Sequence, residues 1–202
     1  MRARTAPDAA TASSALLGLA LGLGLAVAPG PAQAQKTQPY DGFLCCSMLV
    51  SGTWIDDQNY EDGYKKIVPA GTPVKFTGFG RWRLQVLVEG KKLEIGNWYS
   101  RTISMDDFAL RYVPTQDPNV KLQAWGPKVR EAILARKIRS GMTREQVIMA
   151  LGYPTTDKTP DMAAVVWHYS FRAGDFQIFW TDDGKVDRLF GVPEARAKVF
   201  IE

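Results

Sequence analysis

Histidine is almost missing from this sequence, with one among 202 residues, and its only two cysteines are neighbours. A histidine-built metal centre is therefore excluded, and a zinc site would have to draw its remaining ligands from carboxylates and thiols alone. His168 alternates with Trp167 and Tyr169 and so faces the side opposite both, as an ordinary sheet residue would. A dyad of His168 with Cys45 or Cys46 has no local support. Also lacking are a phosphate-cradling glycine loop, a nucleophile elbow and, past Ala28, any apolar run long enough to span a bilayer. Charge of one sign is scarce too: the net value is +4, which does not point to nucleic acid.

What is present begins with an export signal. Arg2 and Arg4 precede the apolar run Ala15–Ala28, which Pro29-Gly30-Pro31 breaks before Ala32-Gln33-Ala34. That order is a secretory signal peptide with cleavage between Ala34 and Gln35, giving a periplasmic chain with no transmembrane segment after cleavage. Removal of residues 1–34 leaves 168 residues and takes Arg2, Arg4 and Asp8, so the net charge falls from +4 to +3. A lipid-attachment cysteine would sit directly after the apolar run; Cys45 lies well past it and follows Leu44, so there is no lipobox.

"FLCCSMLVSGTW", residues 43–54, reads as a core strand. Adjacent side chains on a strand point to opposite faces, which favours buried free thiols at Cys45 and Cys46. An adjacent disulfide in a turn is the second reading in an oxidising compartment. Redox catalysis, which wants spaced cysteines and a lowered pKa, comes last.

The following "IDDQNYEDGYKK" is polar and acidic, a loop. Asp57, Asn59 and Glu61 alternate as calcium ligands do, but Asp62 stands where the loop wants Gly and Val68 where it wants Glu. A solvated acidic loop, and no metal, is the better account. Turns are expected at Pro69–Thr72, Gly78–Gly80 and Gly90. Between them Val74 and Phe76, then Trp82, Leu84, Val86 and Val88, keep a period of two. Short strands with short turns predict a small antiparallel barrel or twisted sheet over 35–118, resembling bacterial SH3-like modules in "IVPAGTPVKF". Lys65, Lys66, Lys75, Arg81, Arg83, Lys91 and Lys92 concentrate positive charge there, which allows a weak attraction to anionic surfaces. Ser104 caps a short helix to Tyr112, and "VPTQDPN" is a linker that places a boundary near 118.

The second module, 119–202, has a helical rhythm first. Gly126-Pro127 starts a helix whose apolar stripe is Val129, Ala132, Ile133 and Ile138; Arg136, Lys137 and Arg139 suit its end, and Gly141 stops it. Thr143 caps a second, with Gln146 completing a capping box, Met142 and Val147 a staple, and Val147, Ala150 and Leu151 the inward face. Gly152 ends it and Pro154 prevents resumption. Strands are expected at 163–171, 176–181 and 185–190, the last two joined at Asp183-Gly184.

In order and spacing, Gly141, Met142, Thr143, Val147, Leu151, Gly152 and Pro154, then Trp167, Tyr169 and Phe171, then Asp183, Gly184, Lys185 and Val186, resemble the SmpA/OmlA (BamE-like) family. The likeness covers about residues 126–190. It implies an α+β unit of two helices on a three-stranded antiparallel sheet, shared in outline with β-lactamase inhibitor proteins. It also implies an accessory role in outer-membrane protein assembly, with protein partners and phospholipid. Two departures stand out: the expected absence of a lipid anchor, and the added β-rich module.

The matching residues are caps, turns and core positions, so they carry fold more than function. No catalytic set and no cofactor emerge. What remains is aromatic surface: Tyr153, Phe176, Phe179 and Trp180 are the candidate partner face, because one side of strand 176–181 keeps more aromatic area than solvent favours. The expected function is a non-enzymatic periplasmic binding or scaffold protein with a protein partner in the cell envelope. The alternatives are a cell-wall or anionic-lipid surface module and a secreted enzyme inhibitor.

Overall fold

The adjacent cysteines bend the chain where a continuous strand was expected. The computed structural model describes residues 38–58, 66–170 and 174–201; the expected signal peptide, residues 59–65 of the acidic loop and Phe171 of the resemblance lie outside them. Strand β1 (Tyr40–Phe43) stops before the cysteines, β2 (Met48–Ser51) begins after them, and β3 (Trp54–Asp56) follows a turn. Cys45 and Cys46 are joined to each other, which corrects the expectation of free thiols. A straight strand would have pointed the two side chains apart. The bend leaves backbone groups to be paired elsewhere, and distant partners pair them. Leu44 N donates to Thr72 O (2.9 Å), Cys45 N to Tyr112 O (3.1 Å) and Ser47 N to Met149 O (2.9 Å).

With β4 (Lys66–Val68), β5 (Pro73–Gly80), β6 (Arg83–Val88) and β7 (Lys91–Gly96), these strands form a curled, half-barrel sheet of order β1-β5-β6-β7-β3-β2-β4. Only β3 and β7 run parallel. Period-two alternation buries Val74, Phe76, Leu84, Val86 and Val88, and helix α1 (Met105–Tyr112) adds Phe108, Ala109 and Tyr112 to the same core. Each such side chain contributes about 1.5–3 kcal/mol by leaving water. Ser104 Oγ accepts the Asp107 N–H at 3.0 Å and caps α1 as expected.

One turn moved. Gly78–Gly80 belongs to β5, with a bulge between Phe76 and Gly78, and the chain reverses at Arg81-Trp82 instead. Trp82 sits at φ 57° and leaves the buried register of Leu84.

The second core is built by α2 (Asn119–Ala124), α3 (Pro127–Leu134), α4 (Arg144–Leu151), the antiparallel sheet β10-β9-β8 and α5 (Pro193–Val199). Its strands are β8 (Val166–Tyr169), β9 (Phe176–Trp180) and β10 (Val186–Gly191). Helices α2 and α5 have no counterpart in the sequence reading. Ala132, Ile133, Val147, Ala150 and Leu151 pack with Trp167, Tyr169, Phe176, Ile178 and Trp180. The reciprocal cap of α4 is complete: Thr143 Oγ1 accepts the Gln146 N–H (3.3 Å), and Gln146 Oε1 accepts the Thr143 N–H (2.9 Å). Asp183-Gly184 makes the hairpin turn, with Gly184 at φ 73°.

Helix α3 is shorter than expected. It ends at Leu134, Arg136 turns back at φ 55°, and its side chain is buried rather than fringing a helix terminus. The stretch read as a linker is packed, with Val113 buried and Asn119 Nδ2 donating to Gly71 O at 2.9 Å. The fold is mixed α+β, and no helix among the described residues is long and apolar enough to cross a membrane.

Candidate functional site

Where β3 ends, the sequence places Asp57, and the fold buries it at 2% exposure. The expectation of a solvated acidic loop therefore fails at this position. Its Oδ1 accepts the Trp98 N–H (3.1 Å) and its Oδ2 the Tyr99 N–H (3.0 Å). Burial pushes its pKa up to about 6, against the lowering effect of those two N–H donors. The carboxyl thus fixes the β7–α1 loop, "NWYSRT", from beneath.

The loop is tied a second time by Asn97. Its Oδ1 accepts the Ser100 N–H (3.2 Å), and its carbonyl accepts Arg101 Nε–H (3.1 Å). The result aims Arg101 between two indoles: its guanidinium carbon lies 5.1 Å from the Trp82 ring centroid and 4.7 Å from that of Trp98. Both rings stay about half exposed, at 46% and 54%. Arg83 stands 5.6 Å over Trp54, but it is already paired with Glu94 at 2.8 Å. Among the described residues no carboxylate forms an ion pair with Arg101.

Thr156 joins this loop to the segment after α4. Its N–H donates to Tyr99 O at 2.9 Å, and its Oγ1 accepts the Thr102 N–H at 3.4 Å. Between the two loops lies a groove of about 320 Å³ lined by Trp98, Arg101, Thr102, Thr155, Asp157 and Lys158, among others. Sequence reasoning missed this site. Two surface tryptophans beside arginines in turn segments, "RWR" and "NWYSR", were the available signal.

The expected partner residues scatter. Phe176 and Trp180 are 1% and 7% exposed in the helix-facing core, so neither is available to a partner, a correction that follows from which strand face the helices cover. Phe179 lies on the other face, 4.4 Å beneath the Arg188 guanidinium. There it neighbours Val166 and Arg188, while Gln177 pairs with His168 and with Phe190, which is 69% exposed. Tyr153 is half-buried between Tyr112 and the Arg111 guanidinium (5.0 Å), in a separate cleft of about 340 Å³ whose wall includes Cys45. Cys46 is buried in the first core.

The residues that carry the SmpA/OmlA resemblance lie in core, cap and turn positions here. Met142, Val147, Leu151 and Trp167 are core, Gly141 N donates to Val186 O (2.8 Å), and Tyr169 Oη donates to Gly152 O (3.0 Å). Among the described residues no three His, Cys, Asp or Glu side chains gather as a metal-binding group. Preorganised polar and aromatic surface of this kind can bind a ligand. Comparison with family models, curated proteins and solved structures finds no match for this chain.

Proposed function

We infer that the chain is a non-enzymatic, exported binding protein of the cell envelope. Its SmpA/OmlA-like unit, α3 and α4 on the sheet β8–β10, holds a protein partner on the face away from the helices. The observation that carries this reading is Phe190, 69% exposed on β10, beside the Phe179–Arg188 stack on the same face. Aromatic and arginine side chains are the residues that protein interfaces enrich. The signal-peptide pattern at residues 15–34 supports the compartment, and the matched motif from Gly141 to Val186 supports the envelope role.

Photo-crosslinking in cells tests it, with probes at Phe179 and Phe190 and a control probe at Trp82. Adducts from the two sheet probes to outer-membrane assembly components, reduced by Phe190→Ala when read from Phe179, are the expected outcome. Adducts only within the chain itself would refute the reading.

A further inference from the structure

The groove between residues 97–102 and 155–158 is not used by that reading, and its chemistry differs from that of the sheet face. We propose that it is a second binding site, for an acidic saccharide: a sugar ring stacks on the exposed indole of Trp98 and its carboxylate pairs with Arg101. Four observations carry the assignment.

First, the arginine is a cation that no carboxylate among the described residues pairs, and its Nε–H is fixed on Asn97 O. Its guanidinium carbon lies 5.1 Å and 4.7 Å from the Trp82 and Trp98 ring centroids. Held this way, it loses little conformational freedom on meeting a carboxylate, and a forked guanidinium fits two carboxylate oxygens. Arg83, by contrast, is already paired with Glu94.

Second, Trp98 is 54% exposed although the guanidinium lies over the ring. That exposed indole is apolar surface of the kind that the C–H face of a pyranose covers.

Third, polar side chains line the groove. Thr102, Thr155, Thr156 and Ser170 line it with Asp157 and with Lys158, which is ion-paired to Asp175 at 2.6 Å. The Thr155 and Thr156 hydroxyls are already bonded to His168 O (3.1 Å) and Tyr99 O (3.3 Å), so the groups that can meet a polyol are the exposed ones at the rim, Thr102, Asp157 and Lys158. Fourth, the site is rigid before anything binds, since Asp57, Asn97 and Thr156 all fix the loop backbone.

Isothermal titration of the full mature chain with tetragalacturonate, cellotetraose and phosphatidylglycerol vesicles tests the site, with tryptophan fluorescence as a second readout. The expected result is binding of the uronate, weaker or no binding of the neutral glucan, and loss of the uronate's advantage at high salt. Arg101→Gln should weaken the uronate by at least about tenfold, the scale of a lost charge-assisted contact, and leave the glucan unchanged. Trp98→Ala should weaken both sugars. Both positions are on the surface, and an unchanged thermal midpoint shows each variant folded. No uronate binding at millimolar concentration, equal loss of both sugars in Arg101→Gln, or binding of vesicles alone would each overturn the assignment. None of these outcomes bears on crosslinks from Phe190, so this site and the sheet face stand or fall separately.

Discussion

Arg136 Nε donates a hydrogen bond to the carbonyl oxygen of Ser47 at 2.8 Å, joining points 89 residues apart in the chain. The arginine reaches there only because its backbone takes the left-handed conformation at φ 55°, one residue past the α3 C-cap. It thereby pins the segment after the adjacent disulfide to the helical core. Ser47 N–H, bonded to Met149 O, and Ser47 Oγ, which accepts the Ala70 N–H at 3.2 Å, complete the junction.

The first prediction separates the bond from the backbone. Arg136→Ala removes a charged donor from a buried carbonyl, at a cost of about 2 kcal/mol, while keeping a Cβ in the left-handed region. Arg136→Gly loses the same bond but relieves about 1 kcal/mol of that backbone cost. Urea midpoints should therefore fall in the order wild type, Gly, Ala. An alanine variant as stable as wild type would show that the junction does not depend on this bond.

Asp57 makes the stability depend on pH in an unusual direction. Its folded pKa is raised, to about 6, because burial penalises the charged carboxylate. Between its unfolded value and about 6 the folded state holds a proton that the unfolded state has released, so stability from this group falls as pH rises through that window. The size is roughly 2 kcal/mol between about pH 4.5 and about pH 7.5. Denaturant titrations should show Asp57→Asn flattening this decline relative to wild type. An identical pH slope in both proteins would contradict the assignment.

Thr143 carries a prediction that tests purely local information. Thr143→Ala removes the acceptor for Gln146 N–H and exposes one side of the capping box, and it should cost about 1 kcal/mol. Thr143→Ser keeps the hydroxyl and should cost only a fraction of that, measured by urea unfolding.

That contrast between Thr143 and Arg136 explains what the sequence could say. The α4 caps, the Asp183-Gly184 turn, the α1 start at Ser104 and the Leu84–Val88 alternation each arise within about a turn of helix or a hairpin, so four or five letters encode them. The burial of Asp57, the bend at Cys45-Cys46 and the early end of α3 are decided by partners 28 to 102 residues away. Helix α5 was invisible for a related reason. Its inward residues are only Ala195 and Val199, and its position is set by neighbours such as Ile138, which bridges to Phe200. The groove at Arg101 shares this limit, because Trp82 and Trp98 come together only when β6 and β7 pair: Asn97 N donates to Trp82 O at 2.9 Å.

Gly152 gives the last prediction, and it distinguishes a helix stop from a docking surface. At φ 85° and ψ −173° it occupies a region that only glycine enters cheaply. A Cβ there would also stand 3.2 Å from Asp57 O and 3.9 Å from Cys46 Sγ, so the glycine ends α4 and admits the β-rich half at the same point. Gly152→Ala should then cost about 3 kcal/mol or more, the backbone term adding to displacement of a rigid neighbour. An ordinary C-cap glycine would lose only about 1 kcal/mol. Combining Gly152→Ala with Asp57→Asn resolves the two contributions. The crowding is against the Asp57 backbone oxygen, which the side-chain change leaves in place, so the effects should add. Strong coupling in that double-mutant cycle would instead mean that the glycine variant acts by displacing the Asp57 carboxyl from Trp98 and Tyr99.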